Sequence, residues 1–280
     1  MEEYCGYITI IGKANSGKST LINKIIGKNI SITSNKKNTT QKNITGIKTK
    51  EIYQSIYIDT PGIKLYKKKE LERLVTNNNL KIIKNSTLII FVLDGISWKI
   101  DDELVFNKIK KNNIPIIVAI NKIDKIKNKN TILPHINFLL KKINPITIVP
   151  ISAKKEKNII VLEKIIRSYL PKKNHIFPKN YITTNSLFFS ISEIIRQKLI
   201  FFLRDELPST TSVKIESIEK KINNILWIKA IIYVQYERQK KIVIGTKAEI
   251  IKKIGILSRL NIEKEINKKV HLLIWVKKIS

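Results

Sequence analysis

Short apolar runs alternate with longer amphipathic segments over residues 7–170 of this 280-residue chain. A short apolar run between polar turns predicts a buried strand, whereas apolar positions spaced three and four apart predict a helix. Their alternation predicts an α/β fold in which a mostly parallel sheet is flanked by helices. The predicted strands are residues 7–12, 45–49, 53–59, 87–93, 114–120 and 146–151, and the predicted helices are residues 18–26, 69–84, 101–111, 131–143 and 158–170.

The pattern changes after residue 170, because residues 171–186 contain two prolines and no periodicity, which predicts a linker. Helical and extended runs then follow in the mixed order of a separate, smaller α+β domain. The predicted division is a first domain at 1–171, a linker at 172–186 and a second domain at 187–280. We expect Trp227 and Trp275, in two predicted strands, to pack in the core; the alternative is that they are platforms on which bases stack. The predicted elements of the second domain are a helix at 187–203, strands at 212–219 and 225–236, a loop at Gly245, a helix from Glu249 and a strand at 270–277.

Composition favours a globular protein of a reducing compartment. Hydrophobic residues make up 43% of the chain, and the single cysteine, Cys5, excludes a disulfide framework. No uncharged apolar stretch approaches the roughly 18 residues that a membrane-spanning helix needs, and we expect no secretory signal. We therefore expect a soluble protein of the cytoplasm.

The formal net charge of +31 indicates an anionic partner, either nucleic acid or an anionic membrane surface. Only six of the 53 basic residues are arginine, and lysine, isoleucine and asparagine are abundant, as an A/T-rich coding sequence would produce by drift. The charge is spread at nearly equal density over both predicted domains. Charge alone therefore does not distinguish a nucleic-acid-binding half from compositional drift.

A phosphate-binding motif joins the first predicted strand to the first predicted helix. Residues 12–19 fit the pattern G-x-x-x-x-G-K-[ST], in which backbone N–H groups and a helix N-terminus surround the phosphates. Lys18 is placed to reach the β- and γ-phosphates, and the Ser19 hydroxyl to bind Mg²⁺. A chance match is the alternative, but the strand-to-helix context is the required one. The predicted phosphate-binding residues are Gly12, Asn15, Ser16, Gly17, Lys18, Ser19 and Thr20.

Two further motifs follow predicted strands, and together they specify GTP. Asp59 opens an Asp-Thr-Pro-Gly sequence, in which the carboxylate holds Mg²⁺ through water and Gly62 offers its N–H to the γ-phosphate. Asp124 closes an Asn-Lys-Ile-Asp sequence, and its carboxylate can accept two hydrogen bonds that guanine offers and adenine does not. A surface turn acid is the alternative for Asp124. The other predicted base-binding residues are Asn121, Lys122, Ser152 and Ala153.

These motifs, in this order and spacing, resemble those of small GTPases, and the stretches around them are similar to the Era-type GTPases in particular. The resemblance implies a P-loop GTPase domain followed by a smaller α+β type II KH domain. It covers nearly the whole chain, through residues 30–34, 39–40, 58–62, 177–178, 181–183, 192–196, 242–245, 271–272 and 275–277.

The resemblance also implies residue roles in the first domain. Thr40, favoured over Thr39, would close on Mg²⁺ when GTP is bound, and Asn15 would help to bind K⁺ beside the phosphates. The alternative for Asn15 is a turn residue without an ion. Ile63 stands where many switches carry a glutamine that orients water, so slow intrinsic hydrolysis is expected. No side chain is assigned to catalysis itself; Lys18, Thr40 and Gly62 position the phosphates.

For the second domain the resemblance implies an RNA-binding loop of the G-x-x-G type. Here the second glycine is replaced by Ala248, which incurs a conformational cost if the backbone requires a positive φ. Without the resemblance, a glycine before a helix would indicate only a turn. The implied RNA-binding residues are Gly245, Thr246, Lys247, Ala248, Lys252 and Lys253.

Two functions are consistent with these residues. In the first, the chain is a monomeric switch that binds GTP or GDP with Mg²⁺, hydrolyses GTP, binds 16S rRNA and assists assembly of the small (30S) ribosomal subunit. In the second, it is an RNA-binding assembly module that keeps GTP as a structural ligand with negligible turnover. Peripheral contact with an anionic inner membrane is a further alternative, drawn from the lysine excess.

Overall fold

The computed structural model describes residues 2–32, 43–60, 77–203 and 210–279. It divides into two compact units, Met1–Thr184 and Asn185–Ser280. Among the described helices none is long and apolar enough to cross a membrane.

The first unit contains a six-stranded sheet in the order β2-β3-β1-β4-β5-β6. All neighbouring strands are parallel except β2 and β3, which are antiparallel. The predicted α/β fold with a mostly parallel sheet is therefore confirmed. The strands are β1 (Tyr4–Ile11), β2 (Ile44–Lys50), β3 (Tyr53–Asp59), β4 (Leu88–Asp94), β5 (Ile116–Asn121) and β6 (Thr147–Pro150). The helices are α1 (Lys18–Ile26), α2 (Asn77–Lys84), α3 (Ile100–Lys110), α4 (Ile132–Ile143) and α5 (Ile159–Ser168). Residues 69–76 of one predicted helix lie outside the described residues.

The central strands are buried on both faces, which explains their uninterrupted apolar sequences. Ile90 and Val92 of β4 pack into a cluster with residues of α1 and α5. Ile89, Phe91 and Leu93 point to the other face and pack with residues of α3 and α4. The sheet is thereby held rigid, with the carboxyl ends of β1, β3, β4, β5 and β6 at one edge.

Most of the segment predicted to be a linker is bonded to the first unit. The buried Gln54 side chain accepts hydrogen bonds from the N–H groups of Ile176 and Phe177 at 2.9 and 3.0 Å and donates to the Phe177 carbonyl at 2.7 Å. Further along, the Ile47 N–H donates to the Ile182 carbonyl at 2.7 Å. The division between units therefore falls after Thr184, within the predicted linker.

The second unit has a three-stranded sheet in the order β7-β8-β9, with β7 antiparallel and β9 parallel to β8. Its elements are α6 (Leu187–Phe202), β7 (Ser212–Lys220), β8 (Leu226–Val234), α7 (Glu237–Ile244), α8 (Glu249–Ile266) and β9 (Val270–Lys278). Helix α7 was not among the predicted elements. It follows Tyr236, where the Gln239 side chain accepts hydrogen bonds from the N–H groups of Gln235 and Tyr236 at 2.8 and 3.0 Å.

The expectation that Trp227 and Trp275 pack in the core is wrong. Both lie in strands, but 36% of Trp227 and 42% of Trp275 is exposed. Alternate residues of β8, such as Ile228 and Ile232, are fully buried with residues of the helices, so the tryptophans occupy the opposite face of the sheet.

Candidate functional site

The phosphate-binding motif lies between the carboxyl end of β1 and the first turn of α1, as predicted. Gly17 has a φ of 98°, and a Cβ atom there would lie 2.2 Å from the Asn121 side-chain nitrogen. Only glycine fits this position, because a side chain would collide with the residue that anchors the loop. The loop thus turns tightly and presents its N–H groups at the start of a helix, where an anion is favoured.

Lys18 is almost fully buried, with 5% of its surface exposed. Its ammonium group donates to the carbonyl oxygens of Gly12 and Lys13, both at 2.9 Å. Burial lowers the pKa of Lys18 to about 8, and the nearby Asp59 carboxylate opposes this shift. A cation held in this way is positioned to contact phosphate oxygens without searching through rotamers.

Asp59, at the end of β3, forms an oxygen-rich group with two hydroxyls. Its Oδ2 accepts from Ser19 at 2.7 Å and from Ser31 at 2.8 Å. Burial raises the pKa of Asp59, and Lys18 and the two hydroxyls partly offset this effect. Its Oδ1 is buried with no hydrogen-bond partner among the described residues.

This donor set fits a magnesium ion, since Mg²⁺ is bound by one or two carboxylates together with hydroxyl, phosphate and water oxygens. The described residues contain no group of three or more His, Cys, Asp or Glu side chains that could hold a metal alone. A metal at Asp59 would therefore depend on phosphate oxygens. Thr40, Gly62 and Ile63 lie outside the described residues.

Asn121, at the end of β5, joins three parts of the site. Its side chain is buried and donates to the Ser16 carbonyl at 2.8 Å. Its Oδ1 accepts from the N–H groups of Lys122 at 2.8 Å and Ala153 at 2.9 Å. One amide thus fixes the phosphate loop and two of the predicted base-binding residues relative to each other.

Asp124 lies close to Ser152, whose hydroxyl donates to its Oδ1. This hydrogen bond holds the pKa of Asp124 below its usual range, so the group is a carboxylate at neutral pH. A carboxylate only accepts hydrogen bonds, as recognition of a guanine edge requires.

Lys122 has a left-handed backbone with a φ of 63°. Its ammonium group donates to the Asn15 carbonyl at 2.6 Å and forms an ion pair with Asp94 at 2.9 Å. Lys122 therefore ties the Asn-Lys-Ile-Asp segment to the phosphate loop and to the end of β4. Thr20 lies in α1 beside Ser19.

Three residues around the site were not predicted: Asp94, Ser31 and Asn23. Asp94 is the last residue of β4 and follows six apolar residues, which is a signal that could have identified it. Asn23 lies in the middle of α1, where asparagine is unfavourable, and its Oδ1 accepts from Ile30 and Ser31 N–H groups at 3.0 and 2.9 Å. It holds Ser31 against Asp59.

The loop of the second unit lies between α7 and α8. Gly245 has a φ of 75°, and a Cβ there would lie 2.7 Å from Cγ1 of Ile250. Lys247 and Ala248 also have positive φ values, 48° and 61°. The condition under which Ala248 incurs a conformational cost is therefore met. Thr246 and Lys247 are exposed in the loop, and Lys252 and Lys253 are exposed in the first turns of α8.

The fold and the two sites define a class of protein: a P-loop guanine-nucleotide-binding domain followed by a KH domain. Residues 7–122 match the family described as 50S ribosome-binding GTPase, and residues 206–280 match the KH domain family. The chain is 68% identical to GTPase Era of Buchnera aphidicola subsp. Schizaphis graminum, over 99% of this chain and 97% of that protein. It is 46% identical to GTPase Era of Haemophilus ducreyi, over 98% of this chain and 90% of that protein. The chain belongs to the Era GTPase family, as the resemblance indicated.

Two solved structures share the whole architecture. A variant of Aquifex aeolicus Era bound to GDP·AlF4⁻ is 37% identical and superposes with a TM-score of 0.93, covering 99% of this chain and 94% of that one. A structure of Era in complex with MgGDPNP and nucleotides 1506–1542 of 16S ribosomal RNA is 38% identical, with the same TM-score and coverage. The predicted P-loop domain followed by a KH domain is confirmed.

Proposed function

We propose that the chain binds GTP with Mg²⁺, hydrolyses it, and binds the 3′ region of 16S rRNA during assembly of the small ribosomal subunit. The observation that carries this proposal is the convergence of Lys18, Ser19, Asp59, Asn121 and Asp124 at one edge of the sheet. Parallel strands place their carboxyl ends together, which is where nucleotides bind in such folds.

Each group has a proposed task. Lys18 and the N–H groups of residues 12–20 bind the phosphates, and Asp124 with Ser152 and Ala153 selects guanine. Ser19 and Asp59, joined by Thr40, hold Mg²⁺. The ion supplies positive charge to the β- and γ-phosphate oxygens when it is bound. Ile63 cannot orient water, so turnover by the chain alone is slow and increases when RNA binds.

The RNA role is supported by the KH domain and by the relative that binds nucleotides 1506–1542 of 16S rRNA. Gly245 allows the backbone of the loop to approach a phosphate, and Lys247, Lys252 and Lys253 supply positive charge beside it. A monomeric state, a cytoplasmic location and contact with an anionic membrane stay predictions.

The test is GTP turnover by the full chain with and without an RNA of the sequence 1506–1542. We expect the RNA to accelerate turnover and a scrambled RNA of equal length to have no effect. Lys18→Ala is the matched control, because it removes the buried cation and should abolish turnover. Turnover of the wild type no higher than that of Lys18→Ala would favour the alternative, in which GTP is a structural ligand.

We also propose that Asn15 helps to bind K⁺ beside the phosphates. Its carbonyl is held by Lys122, and its φ of 65° turns the residue into a fixed position at the edge of the loop. Hydrolysis should be faster in potassium than in sodium at equal ionic strength and fixed Mg²⁺. Asn15→Gly tests the side-chain amide alone, because glycine adopts the same φ and only the amide is lost. Equal turnover of the wild type in the two salts would leave Asn15 as a turn residue.

A further inference from the structure

The sheet of the second unit has an open face that carries aromatic rings. Along β8, Ile228, Ala230, Ile232 and Val234 are fully buried on the face that packs with α6, α7 and α8. Strand geometry places alternate residues on the opposite face, so that face is continuous across the three strands. It comprises Ser212, Lys214, Ser217 and Glu219 of β7, Trp227, Lys229, Ile231 and Tyr233 of β8, and His271, Leu273, Trp275 and Lys277 of β9. Of these residues Ile231 is buried, with 3% of its surface exposed.

Two tryptophans lie exposed on this open sheet face. Trp227 pairs with His271 in the β8–β9 register, and their ring centroids lie 4.2 Å apart with planes inclined by 36°. Trp275 pairs with Ile231, four positions further along β8. The two tryptophans are thus roughly 13 Å apart along the strands. With 36% and 42% of their surfaces exposed, both can accept a further ring.

Positive charge lies between and beside the rings. Lys214, Lys229 and Lys277 belong to the open sheet face, and Glu219 is its carboxylate. Glu219 is already within 3.3 Å of Lys221 and 4.0 Å of Lys229, so its charge is offset within the chain. Glu216 lies in the bulge of β7 and is exposed. Rings flanked by lysines complement single-stranded nucleic acid, whose bases stack on aromatic side chains while its phosphates meet cations.

We propose that the open sheet face is a second binding surface for single-stranded RNA, distinct from the loop at Gly245. The loop joins α7 and α8, which pack on the other face of the same sheet. The proposal rests on the RNA-binding function of this unit but uses different residues. Recognition by stacking accepts every base, so this surface would bind unpaired RNA with little sequence preference and would reject duplex RNA.

Tryptophan fluorescence tests the proposal directly. The chain has three tryptophans, and Trp98→Phe leaves only Trp227 and Trp275 as emitters. In the full chain carrying Trp98→Phe and Gly245→Asp, a 12-nucleotide oligoadenylate should quench the emission saturably. A duplex of oligoadenylate and oligouridylate should not. Absence of quenching by the single strand would overturn the proposal.

Affinity measurements give a second, independent result. Added to the chain that carries Gly245→Asp, the double variant Trp227→Leu, Trp275→Leu keeps apolar side chains and removes both rings, so affinity for oligoadenylate should fall roughly tenfold or more. Phe201→Leu is the matched control, because Phe201 is 74% exposed on α6 of the same unit, and its affinity should be unchanged. Unchanged affinity of the double variant would overturn the proposal. If the sedimentation coefficient of the double variant also differed from that of the wild type, the open sheet face would be a contact between protein chains instead.

The proposal for the loop at Gly245 and the proposal for the open sheet face can each be refuted without the other. If Gly245→Asp abolished binding of the 1506–1542 RNA, and the double tryptophan variant then left the affinity of the Gly245→Asp chain for oligoadenylate unchanged, the loop function would stand and the open sheet face would be excluded. If the double variant did not fold, the quenching of the Trp98→Phe chain would still decide the question.

Discussion

Replacing Ala248 by glycine should stabilise the second unit although the change removes atoms. Ala248 precedes α8 with φ 61° and ψ 25°, in the left-handed region. There the Cβ of an L-residue crowds the adjacent carbonyl oxygen, whereas glycine adopts the same conformation freely. The substitution therefore relieves a local conflict between sequence and backbone.

The expected gain is the difference of two terms. A non-glycine residue in the left-handed region costs about 1–2 kcal/mol. Glycine also gives the unfolded chain a larger conformational entropy, which lowers the stability of the folded unit by about 0.4–1 kcal/mol. The net stabilisation is then about 0.5–1 kcal/mol, which raises the melting temperature of a unit of this size by roughly 2–8 °C.

Unfolding of the full chain carrying Trp98→Phe measures this change, because the remaining tryptophans, Trp227 and Trp275, lie in the second unit. Ala230→Gly is the matched control. It deletes the same methyl group from the fully buried, extended backbone of β8, so it should destabilise the unit by about 1 kcal/mol. If Ala248→Gly lowered the stability as Ala230→Gly does, the positive φ would impose no strain and the reasoning would fail.

Three other substitutions test the two sites. Asn121→Ala removes three hydrogen bonds, two of them buried, and should lower the free energy of unfolding of the first unit by about 3 kcal/mol. Urea unfolding compared with Asn112→Ala, a half-buried amide just after α3, checks this, and equal losses would contradict it. Asp124→Asn should weaken GTP binding and favour xanthosine triphosphate in a direct titration, because an amide can donate where the carboxylate only accepts; tight ATP binding by the wild type would disprove guanine selection. Gly245→Asp should abolish binding of the 1506–1542 RNA while GTP affinity is retained; equal RNA affinity of variant and wild type would exclude the loop.

The sheet and the nucleotide motifs were predictable from the sequence for one physical reason. Strands buried on both faces are apolar throughout, so a polar residue directly after such a strand marks its carboxyl end. Asn121 is the polar residue that ends such a strand, and Asp59 follows the apolar stretch 56–58 of β3. Since parallel strands end at one edge, residues far apart in the chain were expected to meet there, and the Asn121–Ser16 hydrogen bond shows that they do.

Contacts set by the path of a loop were not predictable. Ser31 reaches Asp59 only because Asn23, one turn before the end of α1, fixes the backbone at residues 30 and 31. No periodic pattern encodes that pairing. The side chains of β8 illustrate a different difficulty, since Trp227 and Ile228 are both apolar and only the position of the helices decides which is buried.

The lysine excess has a different meaning at different positions, so its total does not measure attraction for RNA. In the first unit Lys13, Lys48 and Lys122 form ion pairs with Asp102, Glu163 and Asp94 at 3.0, 2.7 and 2.9 Å. A lysine whose charge is already balanced by a carboxylate of the same chain neutralises little phosphate charge, so it displaces few counterions from the RNA. Within the described part of the chain, Lys247, Lys252 and Lys253 form no ion pair. The salt dependence of RNA binding should therefore report the number of lysines that meet RNA phosphates, and not the net charge of the chain.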